Sequence, residues 1–211
     1  MLHRFIDISW PLQSESVSYK NRHPITIETV RTVAAHGIAD SRCISLHMHA
    51  GTHIDAPSHC IAGGLTVEQL SLAAMNGTCR ILDLGYVARD CIEADDLKQF
   101  EICAGERILL KTRNSSMPAV GAYNPHEVYL SASGAQYLAQ RGVILVGVDG
   151  LGLERNQEGY PSHCALFNAG IIVVEGLRLA LVDPLQSYTL HILPLAFRGT
   201  DAAPARAVLS F

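Results

Sequence analysis

The run Val143-Ile-Leu-Val-Gly-Val148 is apolar at every position, and this continuity constrains the fold more than any other feature of the chain. A strand with one face in water alternates apolar and polar residues; a strand without alternation is covered on both faces, as at the centre of a parallel or mixed sheet. Further strand patterns span Arg4 to Ile8, Ile25 to Val30, Cys43 to His49, Arg80 to Leu84, Arg107 to Lys111, Ile171 to Glu175 and Tyr188 to Leu193. Helical signals between them are short. Thr66-Val-Glu-Gln69 and Ser133-Gly-Ala-Gln136 read as capping boxes, Gly77 and Gly142 as stops, and Ile92 to Phe100 as an acidic-start helix. Strand, short helix, strand predicts an α/β fold with substantial β content. At 211 residues the expectation is one domain over 1–211.

Composition excludes several partners. Apolar residues make up 48% and charged residues 17%, which suits a packed core and not a disordered chain. A net charge of −4 leaves no basic surplus for a phosphate backbone, so no nucleic-acid partner is expected. No run approaches the roughly 18 apolar residues of a membrane span. Met1-Leu-His-Arg-Phe-Ile-Asp7 lacks the pattern of a secretory leader, so a cytoplasmic location is expected. Cys43, Cys60, Cys79, Cys91, Cys103 and Cys164 are widely spaced, without a C-x-x-C pair, and read as reduced thiols. Cys60 and Cys164 each directly follow a histidine that matters below.

Four of the ten histidines fall within His47-Met-His49-Ala-Gly-Thr-His53-Ile-Asp55-Ala-Pro57-Ser-His59. The separation of His49 and His53 imitates a helical zinc pair, but Gly51, Thr52 and Pro57 make a helix poor here. A strand entering a glycine-bent loop fits better. It puts His47 and His49 on one face of the strand and, beyond the bend, His53 and Asp55 on one side of extended chain. His49, His53 and Asp55 then converge on one ion, for which imidazole and carboxylate suit zinc or manganese. His47 is either a residue that orients a ligand or an ordinary strand residue. His3, His23, His36, His126 and His191 have no neighbours with matching chemistry.

His49-Ala-Gly-Thr-His53-Ile-Asp55-Ala-Pro57-Ser-His59 resembles the H-x-G-T/A-H-x-D-x-P-x-H signature of the cyclase-like metal-dependent hydrolases, which include bacterial kynurenine formamidases and isatin hydrolases. The resemblance continues through Phe5-Ile-Asp-Ile-Ser9, Gly147-Val-Asp-Gly150, Tyr160-Pro-Ser-His163, Val173-Val-Glu175-Gly-Leu177, and Leu193-Pro-Leu195 with Gly199-Thr-Asp201-Ala-Ala-Pro204-Ala-Arg206. It implies the family's swivelling β/β/α domain, with a mixed sheet or barrel-like β core and few short helices. It also implies one metal on His49, His53 and Asp55, and a second on Asp55, His163 and Glu175. The ions would be two Zn2+, with Mn2+ the other candidate, and His59 would be the catalytic acid/base. A divalent ion lowers the pKa of water from about 15.7 to near 7. Metal-bound hydroxide would then cleave the C–N bond of a small-molecule amide, as in arylformamidases, and His59 would protonate the leaving nitrogen. A homodimer or larger homo-oligomer is implied as well.

Two segments depart from the formamidase branch. Val17-Ser-Tyr19-Lys-Asn-Arg22-His-Pro24 stands where those enzymes carry Pro-Gly-Asp, and Val148-Asp149-Gly-Leu-Gly-Leu153 where they tend to have Thr-Asp-Thr-Pro-Ser. Trp10 and Tyr19 are the candidate substrate-pocket residues, because a chain with 6% aromatics offers few rings to an aryl group. The alternatives are an isatin-type cyclic amide hydrolase, a cyclase or dehydratase using the metal as Lewis acid, and a metal-binding protein without turnover.

Overall fold

The computed structural model describes residues 4–37 and 39–211; His3 lies outside them. In chain order the elements are β1 (Phe5–Asp7), β2 (Thr26–Arg31), α1 (Val33–His36), β3 (Ser41–Ser45), β4 (His53–Asp55), β5 (Asn76–Asp83), β6 (Cys91–Ile92) and α2 (Ala94–Lys98). There follow β7 (Arg107–Lys111), β8 (Tyr129–Leu130), α3 (Ala132–Arg141), β9 (Leu145–Val148), α4 (Pro161–Asn168), β10 (Ile172–Glu175), β11 (Tyr188–Pro194) and β12 (Ala202–Ser210). The main sheet runs β12-β11-β5-β7-β9-β10-β4, and β4 pairs again with β12, closing a seven-stranded ring. β5, β7, β9 and β10 run parallel to one another. β4, β11 and β12 supply the antiparallel pairings, and β1 extends the sheet beside β12. This is the mixed, barrel-like β core with few short helices that the family resemblance implies.

The two faces of the ring strands explain their unbroken apolar runs. Ile54, Leu109, Leu145, Val174, Leu190 and Leu209 meet in one cluster, inside the ring. Their strand neighbours Leu110, Val146 and Val173 join a second cluster with Leu97 of α2, Leu138 of α3 and Leu166 of α4, outside it. Every residue of β9 and β10 is buried. Each fully buried leucine or valine contributes about 1.5–3 kcal/mol, which makes this double-sided burial the main stabilising term.

Several boundaries differ from expectation. The strand expected over Cys43 to His49 ends at Ser45, and a turn closed by Ala50 N–H donating to the His47 carbonyl (3.1 Å) carries His47 and His49. The two histidines therefore do not share a strand face. The box at Thr66 caps only a single 3-10 turn, Val67–Gln69. The helix expected from Ser133 begins one residue after Ser131, whose side chain accepts from Gly134 N–H. α4 and β12 carry no strong period, and both sit against the site. Among the described residues no helix is long and apolar enough to cross a membrane. β2 and β3 form a separate hairpin in which every residue is exposed.

Candidate metal centre and active site

β4 is three residues long, and its pleat assigns their roles. Ile54 packs inside the ring, so His53 and Asp55 project from the opposite face, toward α4. In register, Glu175 of β10 lies opposite His53, and Ala202, the first residue of β12, lies opposite Asp55. Asp201 therefore ends the loop directly beside the site. His163 enters from the first turn of α4, which starts at Pro161, the position where proline's missing N–H costs nothing. His59 closes a 3-10 turn that starts at Pro57.

The ligand-bearing atoms converge. His49 Nδ1 lies 3.3 Å from His53 Nε2 and 2.9 Å from Asp55 Oδ1, and His53 Nε2 lies 3.2 Å from Asp55 Oδ1. On the other side of the same carboxylate, His163 Nε2 lies 3.4 Å from both Asp55 Oδ2 and Glu175 Oε1. Glu175 Oε2 completes the circuit, 3.2 Å from His53 Nε2. Two nitrogens held at about 2.1 Å by one tetrahedral ion stand about 3.4 Å apart, so the spacing suits a divalent metal. Asp55 Oδ1 and Oδ2 and His163 Nε2 are buried and make no hydrogen bond among the described residues. Buried polar atoms are rarely left so, and an ion between them satisfies all three.

Each imidazole is held by its other nitrogen. His53 Nδ1 donates to the Gly51 carbonyl (3.0 Å), His163 Nδ1 to Glu154 Oε1 (2.6 Å), and His49 Nε2 to Asp201 Oδ2 (3.0 Å). These bonds fix the tautomers so that the site-facing nitrogens carry lone pairs, the arrangement of metal-binding histidines. Glu154 is itself anchored: Oε1 also accepts from His163 N–H (3.0 Å), and Oε2 from Ser162 N–H (3.2 Å) and Gln157 Nε2 (3.0 Å). Glu175 Oε1 accepts from Leu153 N–H at 2.5 Å.

Electrostatics point the same way. Asp55, Glu154 and Glu175 are buried, and their ion-pair partners are all histidines. Burial alone would lower the His53 pKa, but Asp55 and Glu175 overcome it and push the value up to about 10. Burial likewise opposes the charge on Asp55, yet His53, His163 and His49 hold its carboxyl well below the usual range. Without metal, the site thus recruits protons to balance its carboxylates; divalent cations do the same with fewer particles.

His59 Nδ1 lies 3.0 Å from Asp201 Oδ2, the oxygen that also meets His49. The site opens into a cavity of about 880 Å³, lined among others by Tyr19, His47, His49, Asp55, His59, Tyr160, His163, Glu175 and Asp201. The six residues expected to act together, His49, His53, Asp55, His59, His163 and Glu175, are brought together. Tyr19 lies on the cavity wall, but Trp10 does not. Its indole is buried, donates to the Ala119 carbonyl (3.2 Å) and lies 4.8 Å from the Arg178 guanidinium. A ring with both a cation and a carbonyl to satisfy is held in the wall behind the pocket. His47 accepts from His49 N–H (3.3 Å), stacks on His23 (4.4 Å) and has its ring 5.3 Å from that of His49, so it supports a candidate ligand from outside the carboxylate cluster.

Asp201 and Glu154 join the site through the fold, without a signal in the spacing of the histidines. Asp201 is remote in sequence from the histidines it serves. The signal for Glu154 was its position in the otherwise apolar run Leu151-Gly-Leu153-Glu154.

The profile of the family described as "Putative cyclase" matches residues 6–155. A kynurenine formamidase of Bacillus cytotoxicus is 32% identical over 208 residues, 97% of this chain and 96% of its own length. The solved structure of a potential metal-dependent hydrolase with cyclase activity superposes with a TM-score of 0.88 at 37% identity, covering 99% of this chain and 98% of the other. Isatin hydrolase A from Labrenzia aggregata, bound to benzyl benzoate, shares the fold, with a TM-score of 0.84 at 20% identity over 99% of this chain and 93% of its own. The histidine signature, the closed ring that displays it and the full-length likeness agree, and the chain belongs to the cyclase family.

Proposed function

We propose that the protein is a metal-dependent amidohydrolase that cleaves the C–N bond of a small aryl amide, in the manner of an arylformamidase. One observation carries the reading: three imidazoles, each held by its outer nitrogen, surround the buried Asp55 carboxylate, whose oxygens make no hydrogen bond among the described residues, at the end of an open cavity. His49, His53 and Asp55 would hold one divalent ion and Asp55, His163 and Glu175 a second, as two overlapping groups with suitable donor atoms. Zinc is the better match to the nitrogen-rich set, and manganese is the other ion it accepts. When bound, such ions supply Lewis acidity that polarises a carbonyl and acidifies water.

The chain's own groups do the remaining work. Asp201 accepts the Nδ1 proton of His59, so the neutral ring presents Nε2 as a base. Once His59 Nε2 has taken a proton from the attacking water, Asp201 stabilises the imidazolium, and Nε2 delivers that proton to the departing nitrogen. An amide anion is too poor a leaving group to depart without it. Tyr19 and Tyr160 line the cavity, and Tyr160 stands edge-on to His59 at 5.7 Å, which favours an aryl group beside the scissile bond. The likeness to kynurenine formamidase supports the same class.

The test combines elemental analysis of the purified protein with assays on N-formylkynurenine, formanilide and isatin. At least one equivalent of divalent metal and release of formate are expected. Fully metallated protein without turnover on any of the three overturns the reading.

A homodimer belongs to the same proposal. A lone two-stranded hairpin is marginally stable in water, yet β2 and β3 expose Ile27, Val30 and Ile44 along their length. A second copy of the chain is the simplest cover for these residues. Light scattering after size exclusion should return twice the 22.8 kDa of one chain; a single-chain mass would reject the dimer.

A further inference from the structure

Cys60 and Cys164 are 104 residues apart in sequence, and their sulfurs lie 3.7 Å from each other. No other pair of sulfurs is in contact among the described residues. Cys43 and Cys103 are exposed, Cys79 is buried, and Cys91 Sγ lies 4.0 Å from Glu93 Oε1. The site described above uses neither Cys60 nor Cys164, but the chain ties both to it. Cys60 follows His59 and caps its 3-10 turn, with its N–H donating to the Pro57 carbonyl (3.2 Å). Cys164 follows His163 in the first turn of α4, with its N–H donating to the Tyr160 carbonyl (2.9 Å). The two thiols thus join the segment bearing the proposed acid/base to the helix bearing a proposed ligand. Cys60 packs against the outer core, whereas Cys164 Sγ approaches the Gly159 carbonyl (3.6 Å) at an exposed edge.

We propose that Cys60 and Cys164 are a modification site: a dithiol that low-molecular-weight disulfides oxidise reversibly, displacing the active centre as the bond forms. Cys164, on the solvent side, attacks one sulfur of the reagent as thiolate and expels the other half as a thiolate. Cys60 then loses its proton and attacks Cys164 Sγ, forming the protein disulfide and expelling the second half. The protein dithiol gives up two electrons and two protons, and the reagent disulfide becomes two thiols. A disulfide requires sulfurs about 2.05 Å apart, so the gap must close by about 1.7 Å, through rotation of the two side chains together with movement of the segments that carry them. His59 and His163 are the next residues along each chain. A shift of about 1 Å in a catalytic constellation costs up to about 100-fold in rate. The size of the effect on turnover rests on the hydrolase reading; the disulfide does not.

The test treats metallated protein with glutathione disulfide and reads intact mass, the Cys60–Cys164 cross-linked peptide, and turnover. Loss of two hydrogens, that peptide, and at least a tenfold fall in turnover restored by dithiothreitol are expected. Cys164→Ser and Cys60→Ala should keep basal turnover and fail to respond. The use of both guards against loss of packing at Cys60. Absence of the cross-link, thiols shielded by a bound ion with no loss of hydrogens, or a cross-link with unchanged turnover would each overturn the proposal. Untreated protein without turnover would instead count against the hydrolase reading, with the cross-link still scored by mass.

Discussion

Asp201 Oδ2 meets two rings at once, 3.0 Å from His49 Nε2 and 3.0 Å from His59 Nδ1. One carboxylate therefore orients both a proposed ligand and the proposed proton carrier. His59→Gln should retain metal while turnover falls by about 10²–10⁴-fold, the usual worth of a positioned acid/base. Elemental analysis beside formate release checks it, and full activity would remove His59 from the mechanism. Glu154→Gln should act differently. It weakens the partner of His163 Nδ1 without removing a proposed ligand, and partners of this kind are worth about 10–100-fold in metal affinity; competition with a chromogenic chelator measures it. Spacing on one stretch of chain marks the proposed ligands His49, His53 and Asp55, and the family resemblance alone adds His163 and Glu175. Asp201 and Glu154 are brought to their histidines only by the fold.

Among the elements, β4 depends on a glycine contact. Gly176 has φ +72°, and a Cβ there would lie 2.2 Å from the Gly51 carbonyl oxygen, the acceptor of His53 Nδ1–H. Gly176→Ala combines left-handed strain with a backbone clash, and at least about 2 kcal/mol of stability should be lost, with metal held more weakly. Urea unfolding and chelator competition read the two effects, and wild-type values in both would show that the turn relaxes freely. Strands covered on both faces, such as β7 and β9, were legible because their apolar runs are long and uninterrupted. α4 was not, because Pro161-Ser-His-Cys-Ala-Leu-Phe-Asn168 mixes polar and apolar residues with little helical period. The strand expected to reach His49 stopped at Ser45 because the chain must turn to bring His49 back over His53.

For the whole molecule, pH sensitivity has a source outside the site. Burial raises the pKa of Glu127 to about 7, and its Oε2 accepts from Leu151 N–H (3.1 Å). Between the unfolded value near 4.5 and about 7, the native state binds the proton more tightly than the unfolded chain. Its contribution is therefore present at low pH and lost as pH rises through 7. Glu127→Gln keeps an acceptor and removes the charge. The variant should be more stable than the parent at pH 8 by roughly 2–3 kcal/mol more than at pH 4. Urea unfolding of the metallated proteins at both values decides it, and equal differences would refute the assignment. Metal removal is the complementary experiment. An ion that binds only the folded state adds RT ln(1 + [M]/Kd), so chelation should lower the melting temperature by several degrees.

The closure of the ring at β4 and β12 has a consequence for how the protein is born. The centre draws on residues 49–59, 154–175 and 201, and β12, which follows Asp201, comes after the other six strands of the ring in sequence. A chain still lacking that strand offers scattered histidines and no cage. Capture of the proposed ions therefore waits for β12 to dock, and it can serve as a clock for closure of the ring.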